Sequence, residues 1–276
     1  EQLTNDDRVI SFSGNQRIVI GLRHGMKIQT TKRLYDGDLY SITVGNLRTR
    51  ATDGHPWTVR LSPDADKMYC VYLMRRGRWW RVGKSKLLST WGFGLKQRLF
   101  TEGGDAGWIL SVHTSNIEAM CAEQIISIKY GIPTTFWRES PSSKRTTFDI
   151  SKLYDQLDLD ALQISAVKAI TDHHRRFEYP FVNHGLTRKK YGRRIPLIVP
   201  SCNLLSGAMQ IPVHKGRSCF EWEQIDSIST EKYIGDVYSM DVDQHHHYIA
   251  DGIVTHNCFY GWKEGAGHRW FGPNNV

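Results

Sequence analysis

The chain has 276 residues, 40% of them hydrophobic, and a formal net charge of +8. That length leaves room for one large domain or two small ones with real cores. No apolar run approaches the roughly 18–20 residues of a membrane span, and no basic-then-apolar leader is read at the start, so a monomeric cytoplasmic protein with no membrane partner is expected.

The five cysteines (Cys70, Cys121, Cys202, Cys219 and Cys258) are odd in number, scattered, and never spaced C-x-x-C. This argues against a disulfide framework or a zinc site and leaves room for a free thiol kept for chemistry. The positive charge suits a nucleic-acid partner. It gathers at Arg75-Arg76-Gly77-Arg78 and again at Arg188, Lys189, Lys190, Arg193 and Arg194. The plainer reading of such runs is a solvated face.

In chain order, Arg17–Gly21, Tyr40–Val44 and Trp57–Leu61 are β-branched or aromatic runs set between Gly, Asn and Asp, which predicts short strands and turns over residues 3–66. Met68–Arg75 and Trp79–Gly83 predict a hairpin, and a helical stretch follows near Gly94–Phe100. A strand at Trp108–His113 leads to a helix over Asn116–Tyr130, stopped by Gly131 and Pro133. Leu153, Leu157, Leu162, Val167 and Ile170 have helix-compatible spacing within 151–178, and strand texture returns from about 195 to 257. The expectation is a β unit split by a mixed α/β insertion, without internal repeats.

The densest chemistry lies in Gly235 to Cys258, GDVYSMDVDQHHHYIADGIVTHNC. It contains an alternating strand, a histidine cluster, a turn at Ala250-Asp251-Gly252, a second strand, and then His256-Asn257-Cys258. An asparagine amide can attack its own main-chain carbonyl, closing a succinimide and cutting the chain after itself; because the attack is intramolecular, positioning supplies much of the rate. A histidine before it can stabilise the oxyanion or protonate the leaving nitrogen. A cysteine after it can accept an acyl group as a thioester.

This segment resembles the C-terminal motifs of inteins, the self-splicing protein elements. They carry a strand V-Y-x-L-x-V (Met240 stands for the Leu), a histidine, Y-I-A-D-G-I-V, and His-Asn before Cys, Ser or Thr. The resemblance makes His246 the motif histidine, His256 and Asn257 the terminal pair, and Cys258 the first downstream host residue. Gly45 to Pro56 (GNLRTRATDGHP) is similar to the intein block T-x-x-H, which implies that Thr52 and His55 flank the upstream scissile peptide. Leu3 to Val9 (LTNDDRV) resembles the intein start without its cysteine, so Gln2, which is no nucleophile, falls at that position.

Three routes for the first step stay open: direct attack by Cys258, a branch at an internal residue, or loss of the step. The inteins that lack an initial nucleophile carry a Trp after the His-Pro, a Cys in the penultimate block and a Thr before His-Asn. Here Trp57 and Thr255 match, and Ser239 stands where the Cys would be.

The resemblance implies a mainly β fold: a Hint-type horseshoe from residues 3–67 and 197–257, with an insertion at 68–196. Residues 1–2 would be upstream host and 258–276 downstream host. The sequence CFYGWKEGAGHRWFGPNNV resembles phage-type adenine-specific DNA methyltransferases, which implies a bacterial or phage-infected cell. In the insertion, Cys70-Val71-Tyr72-Leu73 and Arg81-Val82-Gly83 resemble a degenerate GIY-YIG pair, with Arg81 in place of the second tyrosine. This implies a nuclease-like site of Tyr72, Arg98 and Glu123, with Glu123 as ligand of a divalent metal such as Mg, should it cleave. Splicing itself would need no cofactor. The run Arg188, Lys189, Lys190, Arg193 and Arg194 would then contact double-stranded DNA. Two rival readings are a free-standing nuclease or DNA-binding protein on a splicing-inactive Hint scaffold, and a Hint-type domain that cleaves without ligating.

Overall fold

The computed structural model describes residues 8–13, 21–137, 150–182, 196–216, 220–242 and 247–256. It is mainly β. The chain opens with β1 (Arg8–Ser13), β2 (Gly21–Val44), β3 (Leu47–Thr52) and β4 (Pro56–Leu61). Next come β5 (Tyr69–Arg76), β6 (Trp79–Lys86), the two-residue strands β7 (Leu88–Ser89) and β8 (Gly92–Phe93), and α1 (Gly94–Glu102). Then follow β9 (Ala106–His113), α2 (Asn116–Tyr130), α3 (Ile150–Tyr154), α4 (Leu159–Asp172) and β10 (Phe181–Val182). The last strands are β11 (Leu197–Pro200), β12 (Met209–His214), β13 (Phe220–Gln224), β14 (Ser227–Val242), β15 (His247–Ala250) and β16 (Ile253–His256). Most of the Arg17–Gly21 run falls outside the described residues. Among the described residues no helix is long and apolar enough to cross a membrane.

Contacts divide the chain into two units, Glu1–Ser62 with Ile195–Val276, and Pro63–Arg194. The first holds a curled sheet in the order β11-β4-β12-β16-β15-β1-β2-β14, with β13 beside β12 and β3 beside β2. Ile42, Val44, Trp57, Val59, Val213, Ile225, Ile253 and Val254 are buried in it. The β15–β16 hairpin turns on Asp251 (φ +51°) and Gly252 (φ +79°), with Ala250 paired to Ile253. Two consecutive residues with positive φ are what a two-residue hairpin requires, and Asp-Gly is a favoured way to supply them.

The pairing of β2 with β14 corrects the expectation of no internal repeat. Tyr35–Val44 (YDGDLYSITV) and Tyr233–Val242 (YIGDVYSMDV) share Tyr, Gly, Asp, Tyr, Ser and Val at matching places. The two copies lie antiparallel, with Tyr35 opposite Gly235, Asp36 opposite Ile234 and Gly37 opposite Tyr233. Asp36 and Ile234 are each other's counterparts, so a local two-fold axis passes through that pair. In each copy the tyrosine ring folds over the glycine two residues on: a Cβ on Gly37 would lie 2.6 Å from the Tyr35 ring, and one on Gly235 2.7 Å from Tyr233 Oη. Each tyrosine hydroxyl then donates to the carbonyl three residues along, Tyr35 to Asp38 and Tyr233 to Asp236, both at 3.0 Å. The ring covers backbone that the glycine leaves bare, the aromatic rescue seen in designed sheets.

The second unit holds a four-stranded sheet, β10-β9-β5-β6, with α2 packed on β5 and β6. Residues 70–74 of β5 are buried without alternation, as expected of a strand covered on both faces. Trp80, Trp108 and Phe177 stack with centroids 5.5 and 5.7 Å apart. Ser115 caps α2 and the helix ends at Gly131. The helical pattern of 151–178 is two helices: Asp158 Oδ1 accepts from the backbone N–H groups of Asp160 and Ala161 at 3.1 and 3.0 Å, starting α4 afresh.

Arg81 and Glu102 form a hydrogen-bonded ion pair, both nearly inaccessible to solvent. Removing one partner leaves a buried charge uncompensated, whereas replacing both leaves none. Glu102→Gln should therefore lower the unfolding free energy by about 3 kcal/mol, and the double variant Arg81→Met with Glu102→Leu by clearly less. Denaturant titration followed by tryptophan fluorescence measures both, and equal losses would contradict this account of the pair.

Candidate functional site

The turn between β3 and β4 places His55. Its backbone N–H donates to Thr52 O at 3.1 Å, and its own carbonyl accepts the backbone N–H of Ser201 at 2.9 Å and the Ser201 hydroxyl at 3.3 Å. The Trp57 indole N–H donates to Ser201 Oγ at 2.8 Å, and the Trp57 and His55 rings meet edge-on at 4.8 Å. The His55 backbone is thereby fixed from both sides, which leaves the imidazole to be aimed by its own partner.

That partner is Thr255. His55 Nε2 and Thr255 Oγ1 share a short hydrogen bond across 200 residues of sequence. Both are buried, as are Trp57, Ser201 and His256. On the other face of β4, Thr58 Oγ1 and His247 Nε2 share a hydrogen bond at 2.9 Å, and the His247 ring meets the His256 ring edge-on at 4.6 Å. The alternation of strand side chains explains this division. His55, edge-on to Trp57, bonds Thr255, while Thr58 bonds His247, whose ring meets that of His256. One strand thus serves two clusters.

The structure therefore brings His55, Trp57, Thr255 and His256 together, with Thr52 bonded through its backbone. Ser239 is half-buried in β14 opposite Thr31, at the place its repeat gives to Ser41. Ser41 has a structural role, since Arg48 Nε donates to its hydroxyl at 2.6 Å. Gln2, His246, Asn257 and Cys258 lie outside the described residues. His256 ends β16, so Asn257 follows it directly in the chain.

Thr58, Ser201 and His247 are absent from the sequence-level reading. Of the three consecutive histidines at 245–247 the motif selects His246, whereas the strand register pairs His247 with His256.

In the second unit, Tyr72, Arg81, Arg98, Glu102 and Phe136 gather. The Arg81 guanidinium lies 4.4 Å from the Phe136 centroid and 5.9 Å from that of Tyr72. Arg98 Nη1 is 3.9 Å from Glu102 Oε1. The Tyr72 hydroxyl is buried without a hydrogen-bond partner, and burial pushes its proton affinity up. There is no room for a Cβ at Gly83, which sits opposite Tyr72 with the hydroxyl 2.6 Å from where that atom would be. Glu123 is half-buried; desolvation raises its pKa, against the pull of Arg81, Lys84 and Arg98. Glu102, whose charge answers Arg81, is a further residue that the spacing did not single out.

Glu123 has Arg81, Lys84 and Arg98 as its charged neighbours, while Glu102 is paired to Arg81. Among the described residues no group of three or more His, Cys, Asp or Glu is arranged to hold a metal ion. The DNA-contacting run Arg188, Lys189, Lys190, Arg193 and Arg194 lies outside the described residues.

Burial, and then the neighbouring His256, hold His55 far below the usual imidazole range, at about 3. At neutral pH it is an uncharged donor or acceptor of hydrogen bonds. In the unfolded chain the same imidazole takes up a proton below about 6.5. Its contribution to stability is therefore complete above about pH 6.5 and is lost as pH falls toward 3. Denaturant titrations between pH 7 and pH 4 should show a larger loss for the parent than for His55→Gln; parallel losses would contradict a buried, neutral His55.

No protein-family model, no curated protein and no solved structure matches the chain.

Proposed function

We propose that the chain is an intein that excises residues 3–257 and joins the flanking host segments. The acyl group of the upstream junction passes to the Cys258 thiol, either directly or through Ser239, leaving the amine of the following residue free. The Asn257 side-chain nitrogen then attacks its own carbonyl carbon, closing the succinimide and releasing the amine of Cys258. That amine attacks the thioester, forming the new peptide bond and freeing the thiol. No cofactor enters.

One observation carries the reading: the His55–Thr255 hydrogen bond ties the T-x-x-H turn to the strand that runs into His256-Asn257-Cys258. Two motifs that resemble the upstream and downstream blocks of one reaction meet at a single place, within a sheet that pairs two copies of one short sequence. On this reading the first unit is the Hint-type horseshoe. His55 works as a neutral imidazole that hydrogen-bonds the upstream amide, and His256 assists cyclisation.

The second unit supports a narrower proposal, a GIY-YIG-like insertion that binds double-stranded DNA without cutting it. Its order β5-β6-α1-β9-α2, with only the two-residue strands β7 and β8 between β6 and α1, suits that fold, and Arg81, locked to Glu102, puts a cation near Glu123.

The test is to place the chain between two folded reporter domains and weigh the products by mass spectrometry. The parent should yield a joined reporter product and a free excised chain. Asn257→Ala should abolish release of the downstream reporter. His55→Ala should slow the upstream step by about a hundredfold while some downstream cleavage persists. A parent that stays intact, or an Asn257→Ala protein that releases its downstream reporter at the parental rate, would refute the reading.

A further inference from the structure

The His55 cluster accounts for one face of β4. The other face carries Thr58, His247 and His256, of which only His256 is used above. His247 and His256 are direct cross-strand partners in the β15–β16 hairpin, and both are buried. Directly opposed residues of an antiparallel pair lie close enough for their side chains to constrain each other. Here the rings meet edge-on, with centroids 4.6 Å apart and planes at 68°. His247 is in turn held from β4, through the 2.9 Å hydrogen bond between its Nε2 and Thr58 Oγ1. That bond binds one ring nitrogen of His247 and so restrains the plane of its ring. The restrained His247 ring in turn packs edge-on against His256.

We propose that Thr58 and His247 are positioning residues for the downstream step: through His247 they set the ring plane of His256, the residue that precedes Asn257 in the chain. The inference rests on the splicing reading and deepens it. Cyclisation is intramolecular and depends on the geometry of its acid–base partner, so a misaimed His256 costs rate without removing any reacting group. His55 is aimed by Thr255 and Ser201, so the upstream step is expected to change far less than the downstream one.

The experiment has two arms. In the first, the tagged chain carries His247→Leu, His247→Gln or Thr58→Val, and the rates of upstream and downstream cleavage are followed separately. His247→Leu and Thr58→Val should slow downstream cleavage by on the order of tenfold to a hundredfold and leave the upstream rate within about twofold. His247→Gln, whose amide can still reach Thr58, should recover most of the rate. Combining Thr58→Val with His247→Leu should cost no more than His247→Leu alone, because the two act in series. Equal slowing of both steps, or no rescue by glutamine, would overturn the inference and leave splicing standing. A parent that cleaves at neither junction would overturn the reading and the inference together.

The second arm needs no reaction. In the Asn257→Ala chain, side-chain nitrogen NMR should show the His247 and His256 imidazole signals moving together in Thr58→Val, with the melting temperature near that of Asn257→Ala alone. A His256 signal that stays in place would contradict the coupling even if the chain splices.

Discussion

The arrangement depends on one strand, β4, and the turn before it gripping one hairpin, β15–β16, with two histidine–threonine hydrogen bonds. His55 bonds Thr255 on one face and Thr58 bonds His247 on the other. All four side chains are buried, where an unmade hydrogen bond costs about 1–3 kcal/mol, so these pairs hold the hairpin in register as well as in place. A one-residue slip of β16 would exchange Thr255 and His256 between faces and undo both clusters at once.

The rest of the first unit serves that grip. Ser201, reached only after the second unit, fastens the His55 carbonyl with its N–H and hydroxyl while the Trp57 indole holds the hydroxyl itself. The two halves of the sheet are joined by the long ribbon of β2 and β14, where two copies of one sequence pair about a local two-fold axis. Ser239 belongs to that ribbon, and its counterpart Ser41 is a scaffold residue.

Much of this was legible in the residues. The Asp251-Gly252 turn, the strands on either side and the helix over Asn116–Tyr130 follow from local chemistry: positive φ, alternation, a serine cap and a glycine stop. Thr52, His55, Trp57, Thr255 and His256 could be chosen because their motifs carry them. What escaped notice was non-local. The repeat is separated by the whole insertion and pairs antiparallel, so no tandem period betrays it. Thr58 and Ser201 are ordinary polar residues until the fold gives them partners, and His247 is one histidine of three. In the insertion, Tyr72 and Arg98 do share a cluster. The buried Arg81–Glu102 pair at its centre changes its charge, and the spacing of the motif says nothing of a partner supplied by α1.

The central claim is that one pocket handles both junctions, so the most direct measurement looks for the species that joins them. In the Asn257→Ala chain carried between two reporter domains, the upstream reporter should accumulate on the Cys258 side chain as a branched polypeptide that hydroxylamine releases. An upstream reporter that remains peptide-bound at its original junction, with no branched species, would contradict the account.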